Sequence, residues 1–275
     1  MKMGGMIRKS CLEMIAVLVS FVVAIPCVLI LLNSFKTSAD AADLNLLFPN
    51  KWNIWHNYSF VFKEAHLASA FYNTTLVTTT SVIGIIILSS TAAFVIQRRN
   101  NAFTRMLRIV LILGLILPIS IITTYIFMDA LYLTDNYIGI ILLYIATNFA
   151  FITYLYISFF DSVPREIDEA ANIDGAEGLS MFFRVIYPLL KPINATAFIL
   201  SFLTIWNDFN LSLFFLNSPT RSTLTLTIFA FFGQHSADWN YVFADLIMIS
   251  LPVIIAYIVV QKQIVSGLTA GAVKS

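Results

Sequence analysis

The sequence predicts an all-α, polytopic membrane protein with six transmembrane helices and both termini in the cytoplasm. Three observations predict it. Of 275 residues, 59% are hydrophobic and only 11% are charged, whereas soluble domains carry about 25% charged residues; mean hydropathy is +0.85. Apolar runs recur at the length a bilayer requires, about 20 residues. Lysine and arginine collect on alternate sides of those runs. The polar stretches between them, about 30 residues at most, are too short for an independent core. The whole chain, 1–275, therefore reads as one membrane domain.

Residues 14–35 are uncharged, and the first span is placed at about 12–35. No small-residue cleavage site follows it, so it is expected to be a retained helix and not a leader. The run 65–97 exceeds one span at about 1.5 Å per residue, which puts its start at the interface and the span at 68–97. Further spans are expected at 108–128, 137–160, 193–217 and 239–262, the last two carrying one acid each, Asp208 and Asp245. The stretch "TLTLTIFAFFGQ" at 223–234 is too short to cross and is expected to be interfacial or re-entrant. Six spans put Lys2, Arg8, Lys9, Arg98, Arg99, Arg105, Arg108, Arg165, Arg184, Lys191, Lys262 and Lys274 on one side, which is twelve of the sixteen basic residues. That side is cytoplasmic by the positive-inside rule.

Other chemistry finds little support. Cys11 and Cys27 would lie roughly 24 Å apart on one helix, too far for a disulfide. His56, His66 and His235 have no neighbours at metal-ligand spacing. No loop gathers a catalytic constellation. The net charge of +1 forms no basic face for nucleic acid.

The loop at 161–192 stands out. Six of fifteen acidic residues lie between 161 and 177, against the local charge trend. Pro164 suits the first position of a helix and "REIDEAANI" continues it. Gly175 suits the left-handed residue that ends such a helix. Then Met181, Phe182, Val185, Ile186 and Leu189 recur at spacings of three and four, predicting an amphipathic helix on the membrane surface. Pro188 and Pro192 limit its continuation. Small Ala170, Ala171 and Ala176 would let another backbone approach, and Asp168 and Glu169 could pair with a partner's basic residue. A solvated loop that merely stays out of lipid explains the same residues.

"EAANIDGA" at 169–176, followed by Pro188 and Pro192 and preceded by "VPREID", resembles the EAA loop of ABC importer membrane subunits. A second match is separate from it. The tail "GLTAGAVKS" at 267–275, with "WNDF" at 206–209, "LP" at 251–252 and, more weakly, "NTT" at 73–75, resembles carbohydrate permeases of the maltose type. Ser275 departs from that pattern, where glycine is usual, and so does Asp245, where a small residue is usual. Together the resemblances cover essentially the whole chain.

The resemblance implies the type I ABC importer permease fold, a helical bundle with the first span outside a core of five. It implies a sugar, an oligosaccharide by subclass, as the transported solute. It implies that Asp168, Glu169, Ala170, Ala171, Asp174, Gly175, Ala176 and Pro188 form a coupling surface for a cytoplasmic ATPase, and that a tail at 263–275, with Gly267 and Gly271, reaches between two ATPases. The chain has no G-x-x-x-x-G-K phosphate loop, so it is expected to be no enzyme and to bind no cofactor. ATP and magnesium would belong to the partner. The implied partners are a second, different permease, two ATP-binding subunits and an extracytoplasmic sugar-binding protein, met by the 218–238 loop.

Asn73, Trp206, Asn207 and Asp208 are the candidates for a substrate path. An intramembrane carboxylate costs about 2.5–3.5 kcal/mol on insertion scales, so Asp208 must either line a polar path or hold helices together by a hydrogen bond. Asp245 is expected near an interface and partly wet. Two alternatives remain: an ABC permease for a non-sugar solute, which the EAA loop alone permits, and a secondary transporter, against which stands the lack of a repeat between 1–135 and 136–275.

Overall fold

The computed structural model describes residues 2–99, 101–232 and 238–272, with side chains described from 12 to 258 and at 261. His235, the end of the re-entrant candidate at 233–234 and the last residues of the tail at 273–275 lie outside the described residues. The described residues form helices joined by loops and contain no strand.

In chain order, α1 spans Lys2–Ser34 and contains Pro26. The short α2, Ser38–Ala41, is capped by the Thr37 hydroxyl, which accepts from the Asp40 amide at 3.3 Å. Helix α3 is Ile54–Glu64 and α4 is Leu67–Arg98. Helix α5, Ala102–Ile116, opens with a capping box in which Asn101 and Thr104 satisfy each other's amides. Helices α6, Ile121–Ala130, and α7, Tyr137–Phe160, follow. Helix α8 is Glu166–Ile173. Helix α9, Gly178–Met181, runs through a π-helical turn at Phe182–Ile186 into α10, Tyr187–Leu189. Helices α11, Lys191–Trp206, and α12, Asn210–Phe215, precede 3-10 segments at Pro219–Arg221 and Leu224–Phe231. Helix α13 is Trp239–Ala272.

By length and composition, four of the described helical stretches can cross a membrane: Leu12–Ser34, Leu67–Arg98, Tyr137–Phe160 and Trp239–Ile258. Two helix pairs reach that length only together. One corrects the sequence expectation of a continuous helix at 108–128: α5 and α6 meet at 118°. Pro118 explains the break. Its ring forces Leu117 out of helical backbone, to ψ 121, and it has no amide to bond back along the helix. The other pair is Gly178–Leu189 with Lys191–Trp206, bent by 83°. The expected span 193–217 is likewise interrupted, because α11 stops at Trp206 and Asp208 reorganises the chain before α12. Helix α13 also continues to Ala272, where a separate tail was expected from 263.

The chain forms two compact units. The first comprises Met1–Ala68 and Thr227–Pro252. Helix α1 is exposed from Leu12 to Val28. The unit's polar centre is Lys36, only 2% exposed. The ammonium has three protons and three acceptors: Asn33 Oδ1 at 2.9 Å, Asn45 O at 2.9 Å and Asn45 Oδ1 at 2.8 Å. Fully buried Asn57 donates to the carbonyls of Ser34 and Lys36, both at 2.8 Å, and accepts from Asn240 at 3.2 Å. Phe60 stacks on Tyr241 at 4.5 Å between ring centroids. Asp245 is 0% exposed and not wet as expected; both its oxygens accept from Thr227, at 3.1 and 3.0 Å.

The second unit comprises Ser69–Leu226 and Val253–Ser275. Ile140, Tyr144, Ile152, Tyr156 and Phe160 put one face of α7 into its core at helical spacing. The first turn of α7 requires Gly139, since a Cβ there would lie 1.9 Å from the Leu133 carbonyl oxygen.

Asn57→Ala would strand two buried carbonyls, each at a cost of about 1–3 kcal/mol. The variant should unfold at a clearly lower temperature than wild type when both are heated in the same detergent.

Candidate functional site

The 161–192 loop is built by short-range capping and then fixed by long-range packing. Glu166, Asp168 and Glu169 occupy the first turn of α8, where the helix dipole favours negative charge. Pro164 lies just before the cap residue, Arg165, not inside the first turn as expected. The helix ends in a Schellman arrangement: Ala176 N donates to Ala171 O at 2.9 Å and Gly175 N to Asn172 O at 3.0 Å. Gly175 sits at φ +80 with open space around it, so backbone conformation alone selects glycine.

Two contacts anchor the loop to the end of α4. Asp168 Oδ2 lies 2.6 Å from Arg98 Nε. That approach is a charge contact without hydrogen-bond alignment, and Arg98 Nη2 donates to the other oxygen at 3.3 Å and to the Val163 carbonyl at 3.2 Å. The pair is nearly enclosed, at 12% and 14% side-chain exposure. Arg98 also lies over the Phe160 ring, 5.8 Å from its centroid. The second anchor is Phe182, fully buried, with its ring 5.3 Å from Phe94. Ile186 and Leu190 follow it into the core, whereas Leu189 is 42% exposed. The wider π-turn carries Leu190 onto the buried side in place of the expected Leu189. The second loop helix is thus packed into the unit's core and does not float on its surface.

These anchors divide the sequence candidates. Asp168 is engaged within the chain, and Ala171 is 4% exposed. Glu169, Ala170, Asp174, Gly175 and Pro188 are exposed, and Ala176 is half-buried. Two apolar residues that sequence reasoning missed stand among them: Ile173 at 87% exposure and Leu179 at 66%. Their signal was an apolar residue on the otherwise polar side of a short helix. Gly267 and Gly271 lie in the final turns of α13, where no side chains are described.

The path candidates do not form one cluster of free groups. Asn73 Nδ2 donates to the carbonyls of Thr220 and Ser222, both at 3.0 Å, and its oxygen accepts from Tyr137 at 2.8 Å. Asp208 Oδ2 accepts from Tyr144 at 2.8 Å and from the Ser212 amide at 3.1 Å, joining α7 to α12. Both geometries are those of packing staples. Trp206 stacks on Phe202 at 5.1 Å and meets Phe71 edge-on at 5.8 Å. Its buried Nε1 has no hydrogen-bond partner among the described residues. Asn207 is exposed, and among the described residues its side-chain amide bonds back to Leu203 O at 2.9 Å. Arg221 pairs with Asp135 at 2.9 Å, holding the 218–222 segment against the turn before α7. Among the described residues no three His, Cys, Asp or Glu side chains come together as a metal site.

Residues 85–269, which contain the anchored loop, match the family model of the binding-protein-dependent transport system inner membrane component. The chain belongs to that family. Relatives match along nearly the full length of this inner membrane component. It is 33% identical over 266 residues to the melibiose/raffinose/stachyose import permease protein MelC of Bacillus subtilis, covering 96% of each chain. It is 35% identical over 259 residues to the multiple sugar-binding transport system permease protein MsmG of Streptococcus mutans, covering 92% of each. The fold matches, at TM-score 0.79 and 23% identity, a chain from the crystal structure of a bacterial ABC transporter involved in the import of the acidic polysaccharide alginate, covering 91% of this chain and 95% of that one. The protein is therefore an all-helical, multi-pass component of the inner membrane.

Burial pushes the Asp168 carboxyl above the usual aspartate range, and the charges of Arg98 and Arg165 oppose that rise without cancelling it. The folded protein thus binds this proton more readily than the unfolded chain. The residue's contribution favours folding below the unfolded pKa and is lost as pH rises through the folded value. Relative to Asp168→Asn, wild type should gain stability as pH falls through this window. Arg98→Ala should move the window to higher pH. Thermal unfolding of the three proteins across pH checks both signs.

Proposed function

We propose that the chain is a permease subunit of an ABC importer that passes a sugar, an oligosaccharide by class, into the cell with energy from a separate ATPase. The carrying observation is the exposed surface of Glu169, Ala170 and Ile173 on a loop clamped to its own core by Asp168–Arg98 and Phe182. A surface of that kind can receive a push from a partner and transmit it, because the segment behind it has no freedom to absorb the motion. The relatives named for melibiose, raffinose, stachyose and multiple sugars support the solute class.

In this reading the bent pair α5–α6 and the interrupted stretch α11–α12 each count as one span, giving six, with both ends cytoplasmic. Residues 161–192 are the coupling loop and 263–275 the cytoplasmic tail. Glu169 meets a basic ATPase residue, and Ala170, Ile173, Asp174, Gly175 and Ala176 fill out the contact, with Pro188 shaping the return. Asp168 and Ala171 act from behind by holding the helix. Gly267 and Gly271 belong to the tail between the two ATPases, which hold the ATP and magnesium. A second permease completes the pathway, and the 218–238 segment meets the sugar-binding protein. Asn207 offers an exposed amide to a passing sugar, and Trp206 stands beside it with its indole donor buried. Asn73 and Asp208 hold the elements around them.

Glu169→Lys and Gly175→Pro are expected to abolish uptake and substrate-stimulated ATPase activity in the reconstituted complex while membrane levels stay normal. Wild-type uptake by both variants would remove the coupling role.

A further inference from the structure

Four arginines line one cavity of about 330 Å³ in the second unit: Arg99, Arg105, Arg108 and Arg165. Three local events bring them together. Helix α4 ends just before Arg99, the Asn101–Thr104 capping box starts α5 so that Arg105 and Arg108 project three residues apart, and Arg165 caps α8. Among the described residues no carboxylate lines the cavity. Among the described residues none of the four has an ion-pair partner. The nearest acid in the hydrogen-bond network is Asp161, reached only through Gln97, which donates to Asp161 and accepts from Arg108. Like charges three residues apart on a helix repel, so gathering these four without a carboxylate is electrostatically unfavourable and an anion would relieve it.

A second cavity, of about 470 Å³, adjoins the first, and the buried Ile96 lines both. It is a carbon-lined groove formed by Leu88, Ala92 and Val95 of α4, Leu107 of α5 and Phe149 of α7. Its one hydroxyl, Thr91, is turned back onto the Ile87 carbonyl at 2.7 Å. A peptide laid there would bury its own amides and carbonyls without partners. A hydrocarbon chain leaves nothing unsatisfied. The apolar surface continues along α5, where Ile109, Leu113 and Ile116 are exposed.

We propose that this pair of cavities is a binding site for an anionic phospholipid. The phosphodiester sits among Arg99, Arg105, Arg108 and Arg165, and an acyl chain lies in the α4–α5–α7 groove. Basic pockets between membrane helices select acidic headgroups on this principle. The site depends only on the membrane location of the chain and is separate from the identity of the transported solute.

The test uses the purified full chain, delipidated in detergent, offered equal amounts of phosphatidylglycerol and phosphatidylcholine, with bound lipid read by native mass spectrometry. Wild type should retain phosphatidylglycerol preferentially, and the preference should fall roughly fivefold for each arginine removed in Arg105→Gln and Arg105→Gln/Arg108→Gln. Arg105→Lys/Arg108→Lys keeps the charge and should keep most of the preference, which separates lost charge from misfolding. Ala92→Phe fills the groove and should lower phosphatidylglycerol retention with all four arginines in place. Equal retention of the two lipids by wild type would overturn the proposal. So would displacement of phosphatidylglycerol by millimolar inorganic phosphate, which would assign the arginines to a free anion. Glutamine variants that keep the lipid preference but lose the ATPase partner would also overturn it, and would assign the arginines to protein docking.

Discussion

The contact between Asp168 and Arg98 is the constraint on which the charged loop depends. It joins a water-facing helix of eight residues to the last residue of a 32-residue membrane helix. A helix that short has no stability of its own in water, so α8 exists because something holds it. The ion pair supplies charge and direction. Phe182 packs on Phe94, one turn before Arg98 on α4, and supplies apolar burial. Because the pair is nearly enclosed, removing either partner alone would leave a poorly solvated charge. The position of Glu169, Ala170 and Ile173 follows from that restraint.

The same economy governs the polar residues elsewhere. Hydrocarbon offers no hydrogen bonds, so an amide or carboxylate placed in it must find a protein partner. Asn73 uses both amide protons and its oxygen, Lys36 uses its full set of donors, and Asp208 is shared between a tyrosine and a helix amide. Each also fixes a piece of irregular chain: the 220–222 segment, the 33–45 turn and the start of α12. Polarity within the apolar sequence therefore marks the places where chain direction changes. The arginines at the α4–α5 junction are the exception, since among the described residues they gather without an ion-pair partner.

Much of the fold was legible because it rests on chain-local physics. Helical runs, the glycine end of α8 and the distribution of basic residues are properties of short windows. The break at Leu117–Pro118 was equally local, and the uncharged run concealed it, because hydropathy counts charge and ignores the missing proline amide. The Leu189 assignment failed for a different reason. Ideal helical spacing selects Leu189, and only the π-turn at Phe182–Ile186 moves Leu190 inward. Ile173 falls on the polar side of α8 with Glu166 and Glu169, but whether another element covers it depends on packing that no local window contains.

By itself, the sequence determined the all-helical membrane character, the apolar segments and the existence of a charged loop ended by glycine, since transfer energies and backbone preferences act residue by residue. Only the tertiary structure decided which loop residues are free. Asp168 and Glu169 are adjacent and chemically alike, and α8 points one at Arg98 and the other at solvent. Distance in space, set by packing among helices far apart in the chain, makes that distinction, and no local window contains it.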